Sequence, residues 1–203
     1  MPIRLAPDVP AELAAGDAHA CVRTVAGTVR CWGYGGVGQL GNGNGTDVGD
    51  EGDEYPTQVD LGGARVVALA AGGGSTCAVT DAGAVRCWGY NLNGQLGAGN
   101  TENLMEEPGD AASTVPLPLA RVAVDVTVGA YHACALLDTH QVTCWGFNTH
   151  GQLGIGSTDT MGDASGELPL PGYVNVMGAT GSLCDTAPAA QCLSGSCQSN
   201  VCQ

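Results

Sequence analysis

The sequence contains no lysine, and its six basic residues stand against 20 acidic ones, which gives a formal net charge of −14. Nucleic acids and anionic membrane surfaces are bound through basic patches, so we expect neither as a partner. No apolar run reaches the roughly 18 to 20 residues of a transmembrane helix, so membrane insertion is not expected either. Residues 1–10 also lack the basic region and apolar run of a signal peptide.

Aromatic residues make up only 4% of the chain, whereas glycine accounts for 33 of its 203 residues. Glycine at roughly twice its usual frequency favours many tight turns over long helices. With 44% apolar side chains, a chain of this length can bury a core in one or two domains. The composition therefore predicts an all-β protein.

Three copies of one repeat organise the chain. Each copy has two cysteines ten positions apart, then Trp-Gly and then Gly-Gln-Leu-Gly, and the tryptophans are Trp32, Trp88 and Trp145. A run of small residues precedes each copy, and a short β-branched segment such as Val66–Leu69 precedes that run. A period this regular predicts a row of similar β modules.

The segment between the two cysteines of each repeat predicts a β-hairpin. In the second repeat, Asp81-Ala82-Gly83 supplies the turn and sets Cys77 opposite Cys87. Opposed residues have Cβ atoms about 4.5 to 5.5 Å apart, close to the roughly 3.5 to 4.5 Å of a disulfide. We therefore predict the disulfides Cys21–Cys31, Cys77–Cys87 and Cys134–Cys144. Zinc binding is disfavoured because the close Cys-x-x-Cys pairs of zinc sites are missing.

The repeat, Ala-Ala-Gly, His-x-Cys and Val-x-Cys-Trp-Gly-x-Asn-x-x-Gly-Gln-Leu-Gly, resembles that of the regulator-of-chromosome-condensation family, which includes exported bacterial, disulfide-containing propellers. The resemblance spans about residues 12–178 and implies a β-propeller. The sequence departs from the pattern at Gly35, where the other copies have Asn91 and Asn148, and at Ser75, where they have histidine.

Three repeats are fewer than the four to eight blades with which propellers close. We therefore predict a partial propeller with repeats at 1–57, 58–115 and 116–172, followed at 173–203 by an incomplete fourth repeat and a Cys-rich tail. The stretch from Val174 to Cys184 aligns with the start of a repeat, and the pattern then stops.

The tail carries four further cysteines, Cys184, Cys192, Cys197 and Cys202. We favour a small disulfide knot that caps the last blade, while a metal cluster and covalent links to a neighbouring chain stay open. Ten cysteines in total indicate an oxidising compartment. We therefore expect an exported, extracellular or cell-surface protein whose signal has been removed or lies outside this chain.

Five, four and three of the acids fall in the equivalent loops after the three repeats. Calcium favours carboxylates on Gly-rich loops, so Asp47, Asp50 and Asp53 are candidate ligands. We favour a solvated acidic rim, because no segment has the Asp-x-Asp-x-Asp-Gly spacing of a calcium loop, and we expect no other cofactor. Asn44-Gly45-Thr46 fits an N-glycosylation acceptor, which is a weak motif.

Catalytic motifs are absent from the sequence, including Gly-x-Ser-x-Gly, Gly-x-x-x-x-Gly-Lys and His-Glu-x-x-His. His19 and His132 occupy equivalent repeat positions, which packing explains, and His140 and His150 fall in predicted turns. We therefore expect no enzymatic activity. The Trp residues, Tyr90 and Phe147 recur in register, which favours blade core over a binding surface.

An incomplete propeller leaves two sheet edges with unpaired N–H and C=O groups, and this chain has no lysine to guard them. We predict that copies associate end to end into an oligomer or filament, with Ile3 and Leu5 at one edge and Val174 and Val176 at the other. The alternative is an exported module that binds another extracellular protein to adhere or inhibit. Nucleotide exchange, which the resemblance also implies, fits poorly with the acidity and disulfides.

Overall fold

The computed structural model describes residues 7–52, 54–168, 174, 197–198 and 201–202. These residues form three antiparallel sheets of three or four strands and one two-stranded ribbon, which confirms the predicted all-β class. The first sheet contains β1 (Pro10–Ala15), β2 (His19–Thr24) and β3 (Val29–Gly33) in that order.

The second and third sheets repeat the first. The second contains β4 (Val66–Gly72), β5 (Ser75–Thr80), β6 (Val85–Gly89) and β7 (Ser113–Thr114). A 3₁₀ turn at Pro118–Ala120 leads to the third, which contains β8 (Ala123–Val128), β9 (His132–Leu137) and β10 (Val142–Gly146). The ribbon pairs β11 (Cys197–Gln198) with β12 (Val201–Cys202).

Each hairpin turns through a residue of positive φ. Gly27 and Gly83 have φ of +84° and +75°, which suits glycine because it has no Cβ. His140 holds the third equivalent position at φ +65°. The turns bring each cysteine pair directly opposite in the strand register.

A segment that follows the long loop completes each sheet. The Val59 N–H donates to the Val29 carbonyl at 2.9 Å, and Val115 N–H donates in the same way to Val85 at 3.1 Å. Val174 N–H donates to the Val142 carbonyl at 2.9 Å. The segments at which sequence repeats meet therefore form the outer edges of the preceding sheets.

The three sheets pack face to face as successive blades. One apolar cluster joins the first and second sheets, and another joins the second and third. Every residue of β5, in the middle sheet, is buried. We call the end of the blades at which β3, β6 and β10 finish the loop end, and the opposite end, with the hairpin turns, the turn end.

Candidate functional site

A disulfide joins the two central strands of each blade. The structure bridges Cys21–Cys31, Cys77–Cys87 and Cys134–Cys144, with Cα atoms 4.0 to 4.1 Å apart. Such short separations are nearer the ~4.5 Å of a non-hydrogen-bonded antiparallel pair than the ~5.5 Å of a hydrogen-bonded pair. The bridges hold each hairpin in register, which positions the tryptophan that follows the second cysteine.

Those tryptophans dock each blade on the blade before it. The Trp88 indole N–H donates to the Gln39 carbonyl at 3.0 Å, and the Trp145 indole donates to the Gln95 carbonyl at 2.9 Å. Both indoles are fully buried, which agrees with their interpretation as blade core. Trp32 has no preceding blade among the described residues and is only half-buried.

Glycines of the Gly-Gln-Leu-Gly turn let the next blade's loop approach closely. A Cβ at Gly38 would collide with the Leu104 carbonyl, and one at Gly94 would collide with the amide of Asp163. At Gly151, the third equivalent, a Cβ would have no described atom within 4 Å. No described residue therefore fills the space beside this turn in the third blade.

Backbone hydrogen bonds join the blades at the turn end. Val66 N–H donates to the Gly27 carbonyl and Ala123 N–H to the Gly83 carbonyl, both at 2.9 Å. The matching donor position of the first blade is Pro10, which has no N–H. The blade-to-blade contact at this end therefore cannot be repeated by the first blade.

Apolar side chains show most clearly which blade faces are covered. Leu69 and Val126 occupy one position in β4 and β8 and are 6% and 7% exposed, because each packs on the preceding blade. Leu13, at the same position of β1, is 69% exposed. We call this surface of the first blade, with Leu13 and Trp32, the leading face.

The opposite surface belongs to the third blade. Cys77, Val79 and Val85 of the second blade are fully buried beneath the third. Their third-blade counterparts are all only partly buried, and we call this surface the trailing face: Cys134, Leu136 and Val142. Gly151 and Gln152 lie at its loop end, at the repeat positions that Gly94 and Gln95 hold in the second blade.

A histidine at the start of the central strand of the first blade contacts the next blade. His19 is 5% exposed, and its Nε2 lies 2.8 Å from Thr76 Oγ1 in the next blade. Burial lowers the pKa of His19 from 6.5 to about 4, although the nearby Asp17 carboxylate opposes the shift. The pKa of His132 is also lowered by burial. These contacts are structural, as the sequence predicts for this position.

Several of the loop acids accept hydrogen bonds from backbone amides of their own loops. Asp47 accepts from Gly35 N–H at 2.9 Å, and Glu54 accepts from Gly49 N–H at 2.6 Å. Glu167 repeats this in the third blade, where it accepts from Gly162 and Ala164. Within the described ranges, no group of three or more His, Cys, Asp or Glu side chains could hold a metal ion.

The remaining predicted residues fall in several places. Asn44 is exposed, and its Oδ1 accepts from the Thr46 hydroxyl at 2.7 Å. Val174 lies at the outer edge of the third blade with its N–H bonded within the chain. Of Cys197 and Cys202 only the paired backbone is described. The rest lie outside the described residues: Ile3, Leu5, Asp53, Val176, Cys184 and Cys192.

The Gln39 and Gln95 carbonyls were missed as docking groups by reasoning from sequence. The signal is present, because Gln-Leu recurs in every repeat, but a side chain gives no sign that its own main-chain oxygen receives an indole. The side chains have a separate role, since Gln39 Oε1 and Gln95 Oε1 accept from amides two residues earlier.

No helix in the described part of the chain is both long and apolar enough to span a membrane.

Comparison with solved structures shows the fold. Human WBSCR16 superposes with a TM-score of 0.65 at 22% identity, over 78% of this chain and 37% of that one. Yeast RCC1 (Prp20) bound to Kap60 gives 0.59 at 18% identity, over 81% and 37%.

Comparison of sequences shows the family. The "Ultraviolet-B receptor UVR8" of Arabidopsis thaliana is 32% identical over 160 residues, which are 72% of this chain and 34% of the receptor. The chain thus spans about a third of that protein. A Regulator of chromosome condensation (RCC1) repeat profile matches residues 26–79 and 82–136, and a second profile of that repeat matches 11–39, 66–95 and 123–152. The chain therefore belongs to the regulator of chromosome condensation (RCC1) repeat family.

Proposed function

We propose that this chain is an exported propeller-repeat protein that assembles with copies of itself, the leading face of one copy docking on the trailing face of another. The exposure of Leu13 carries the proposal. Its counterparts in the second and third blades are almost fully buried against a preceding blade, whereas Leu13 is 69% exposed. Burying such a side chain stabilises a contact by roughly 1.5–3 kcal/mol.

The two faces carry matching halves of a contact that the molecule already makes twice. The leading face supplies the Trp32 indole N–H and Leu13, and the trailing face supplies the Gln152 carbonyl and the apolar surface around Leu136. Inside the chain, the same pairing joins Trp88 to Gln39 and Trp145 to Gln95. Because the two faces differ, the contact is head-to-tail and produces either a closed ring or an open filament.

The first blade exposes further apolar side chains besides Leu13, namely Val9 and Val25. Pro10 removes one backbone hydrogen bond from the proposed contact. The contact therefore depends on side-chain burial and the tryptophan at the loop end more than on the β-pairing that the sequence suggests.

The test measures molar mass by light scattering and sedimentation over a range of concentrations, with Leu13→Asp as the main variant. We expect the unaltered chain to form dimers or larger particles and L13D to be monomeric, because the variant would bury a charge. Leu92→Asp is the control, since Leu92 is 59% exposed in a loop away from both faces. A monomeric unaltered chain, or L13D that assembles normally, would contradict the proposal.

A mixing experiment tests the head-to-tail arrangement. Leu136→Asp should block the trailing face as Leu13→Asp blocks the leading face, and each variant alone should be monomeric. Mixed together, the two retain one intact face each and should form a heterodimer that grows no further. A face that paired with itself would instead let at least one of the variants form dimers alone.

Export is part of the proposal, and the three disulfide-bonded pairs support it, because disulfides persist in oxidising compartments. Mass spectrometry of unreduced peptides from the native source should recover all three links. Free thiols at Cys21, Cys77 or Cys134 in material alkylated at lysis would place the protein in a reducing compartment.

A further inference from the structure

Four rings form a continuous row across the loop end of the second and third blades. Tyr90, Tyr131, Phe147 and His150 follow one another with ring centroids 6.3, 6.2 and 6.5 Å apart. Tyr131 is 48% exposed, His150 is also exposed, and the other two are half-buried. We call these four residues the aromatic row.

The charge of the molecule is divided between the two ends. The three long loops leave the blades at the loop end and carry twelve acids and no arginine. The described arginines all lie toward the turn end. Each is within two residues of the point where a strand begins or ends on that side: Arg23, Arg30, Arg65, Arg86 and Arg121. The aromatic row is therefore set in the strongly anionic end of the molecule.

We propose that the aromatic row binds an extended, basic segment of a partner protein that has arginine or lysine at alternate positions. Alternate side chains on one face of an extended chain are about 6.6 Å apart, which matches the spacing of the rings. A cation over a Tyr or Phe face gains about 0.5–1 kcal/mol at an exposed site. The loop acids would attract the same segment over a longer range.

Ring orientation favours cations over a flat ligand. Adjacent rings are inclined by 55°, 73° and 53°, so the row does not form a planar platform for stacking a ring system. A cation needs only one ring face, so its binding does not require neighbouring rings to be coplanar. Tyr131 is central, because its ring contacts both Tyr90 and Phe147, and its counterparts in the other blades are Ala18 and Gly74.

The test uses fluorescence anisotropy of labelled peptides with the full chain at low salt. The probe is (Arg-Ser)4, and a peptide of four arginines followed by four serines has the same charge without the alternation. We expect (Arg-Ser)4 to bind at least about threefold more tightly, because alternation sets successive cations at the spacing of the Tyr90, Tyr131 and Phe147 rings. A (Glu-Ser)4 peptide should not bind. Equal affinity for the two basic peptides would overturn the proposal, since charge alone would then explain binding.

Variants locate the binding surface. Tyr131→Ala should weaken (Arg-Ser)4 binding by about three- to fivefold, whereas Tyr131→Phe should keep most of the affinity. Tyr55→Ala is the matched control, because Tyr55 is 56% exposed beside Glu54 in the first acidic loop but outside the row. Unchanged affinity in Y131A, or an equal loss in Y55A, would contradict the proposal. If Y131A does not fold, the comparison of the two basic peptides on the unaltered chain still tests the proposal.

Discussion

One residue separates the third hairpin from the other two. His140 has φ +65° at a position where the first and second blades have glycine. A left-handed backbone costs a non-glycine residue about 1–2 kcal/mol, part of which is offset by the lower chain entropy of non-glycine residues when unfolded. We therefore expect His140→Gly to raise the free energy of unfolding by about 0.5–1 kcal/mol, measured by urea denaturation.

The control for this substitution is the reverse change in the second hairpin. Gly83→Ala should destabilise the protein, because Gly83 has φ +75° and an added Cβ would also collide with Val122. Stabilisation by both substitutions, or by neither, would show that backbone strain does not govern these turns.

A second prediction at this scale concerns acid. Burial lowers the pKa of His19 from 6.5 to about 4. At a pH between these two values, the unfolded chain therefore binds a proton at this histidine that the folded chain does not. The free energy of unfolding should therefore fall as pH drops from about 6.5 toward 4, by up to about 3 kcal/mol. The decrease is measured by urea denaturation at each pH.

His19→Ser provides the comparison, because the second blade has Ser75 at the equivalent position. The variant should be less stable at pH 7 and should show a shallower decrease with falling pH. An unchanged pH profile in the variant would mean that other groups, such as His132, cause the acid sensitivity.

At the scale of the element, the second and third blades each dock on the preceding blade through one indole hydrogen bond. Trp88→Phe removes the buried N–H that the Gln39 carbonyl accepts at 3.0 Å, together with part of the packing. We expect a loss of about 1–3 kcal/mol in the free energy of unfolding. Trp32→Phe should cost less than about 0.5 kcal/mol in dilute, monomeric protein, because no described residue accepts its N–H. Equal losses would mean that the tryptophan packs mainly within its own blade.

The hairpins were predictable from sequence, whereas the junctions between blades were not. Cys77, Gly83 and Cys87 are close along the chain, so spacing and turn chemistry are enough to set their register. Trp88 and Gln39 are 49 residues apart, and the acceptor is a main-chain oxygen that every residue possesses. Tyr131 escaped notice because it breaks the repeat pattern, and its contacts with Tyr90 and Phe147 arise only when two blades pack.

At the scale of the whole molecule, the acidic rim should be independent of metal. Asp47 and Glu54 already accept backbone hydrogen bonds within their loop. We expect excess chelator to leave the Tm unchanged, measured by calorimetry with and without added calcium. A Tm that falls by several degrees in chelator, recovers with calcium and loses this response in Asp47→Asn with Asp50→Asn would establish a calcium site instead.

The burial of every residue in β5 has a consequence for how the molecule opens. In a stack of similar modules, stability is a sum of each module's own contribution and of its contacts with neighbours, so a module enclosed on both sides opens last. Amide hydrogens of β5 should therefore exchange with solvent more slowly than those of β2 and β9. Fraying would then begin in the outer blades and move inward, and a protease acting on the opened ends would leave the middle hairpin, held by Cys77–Cys87, as the last protected fragment.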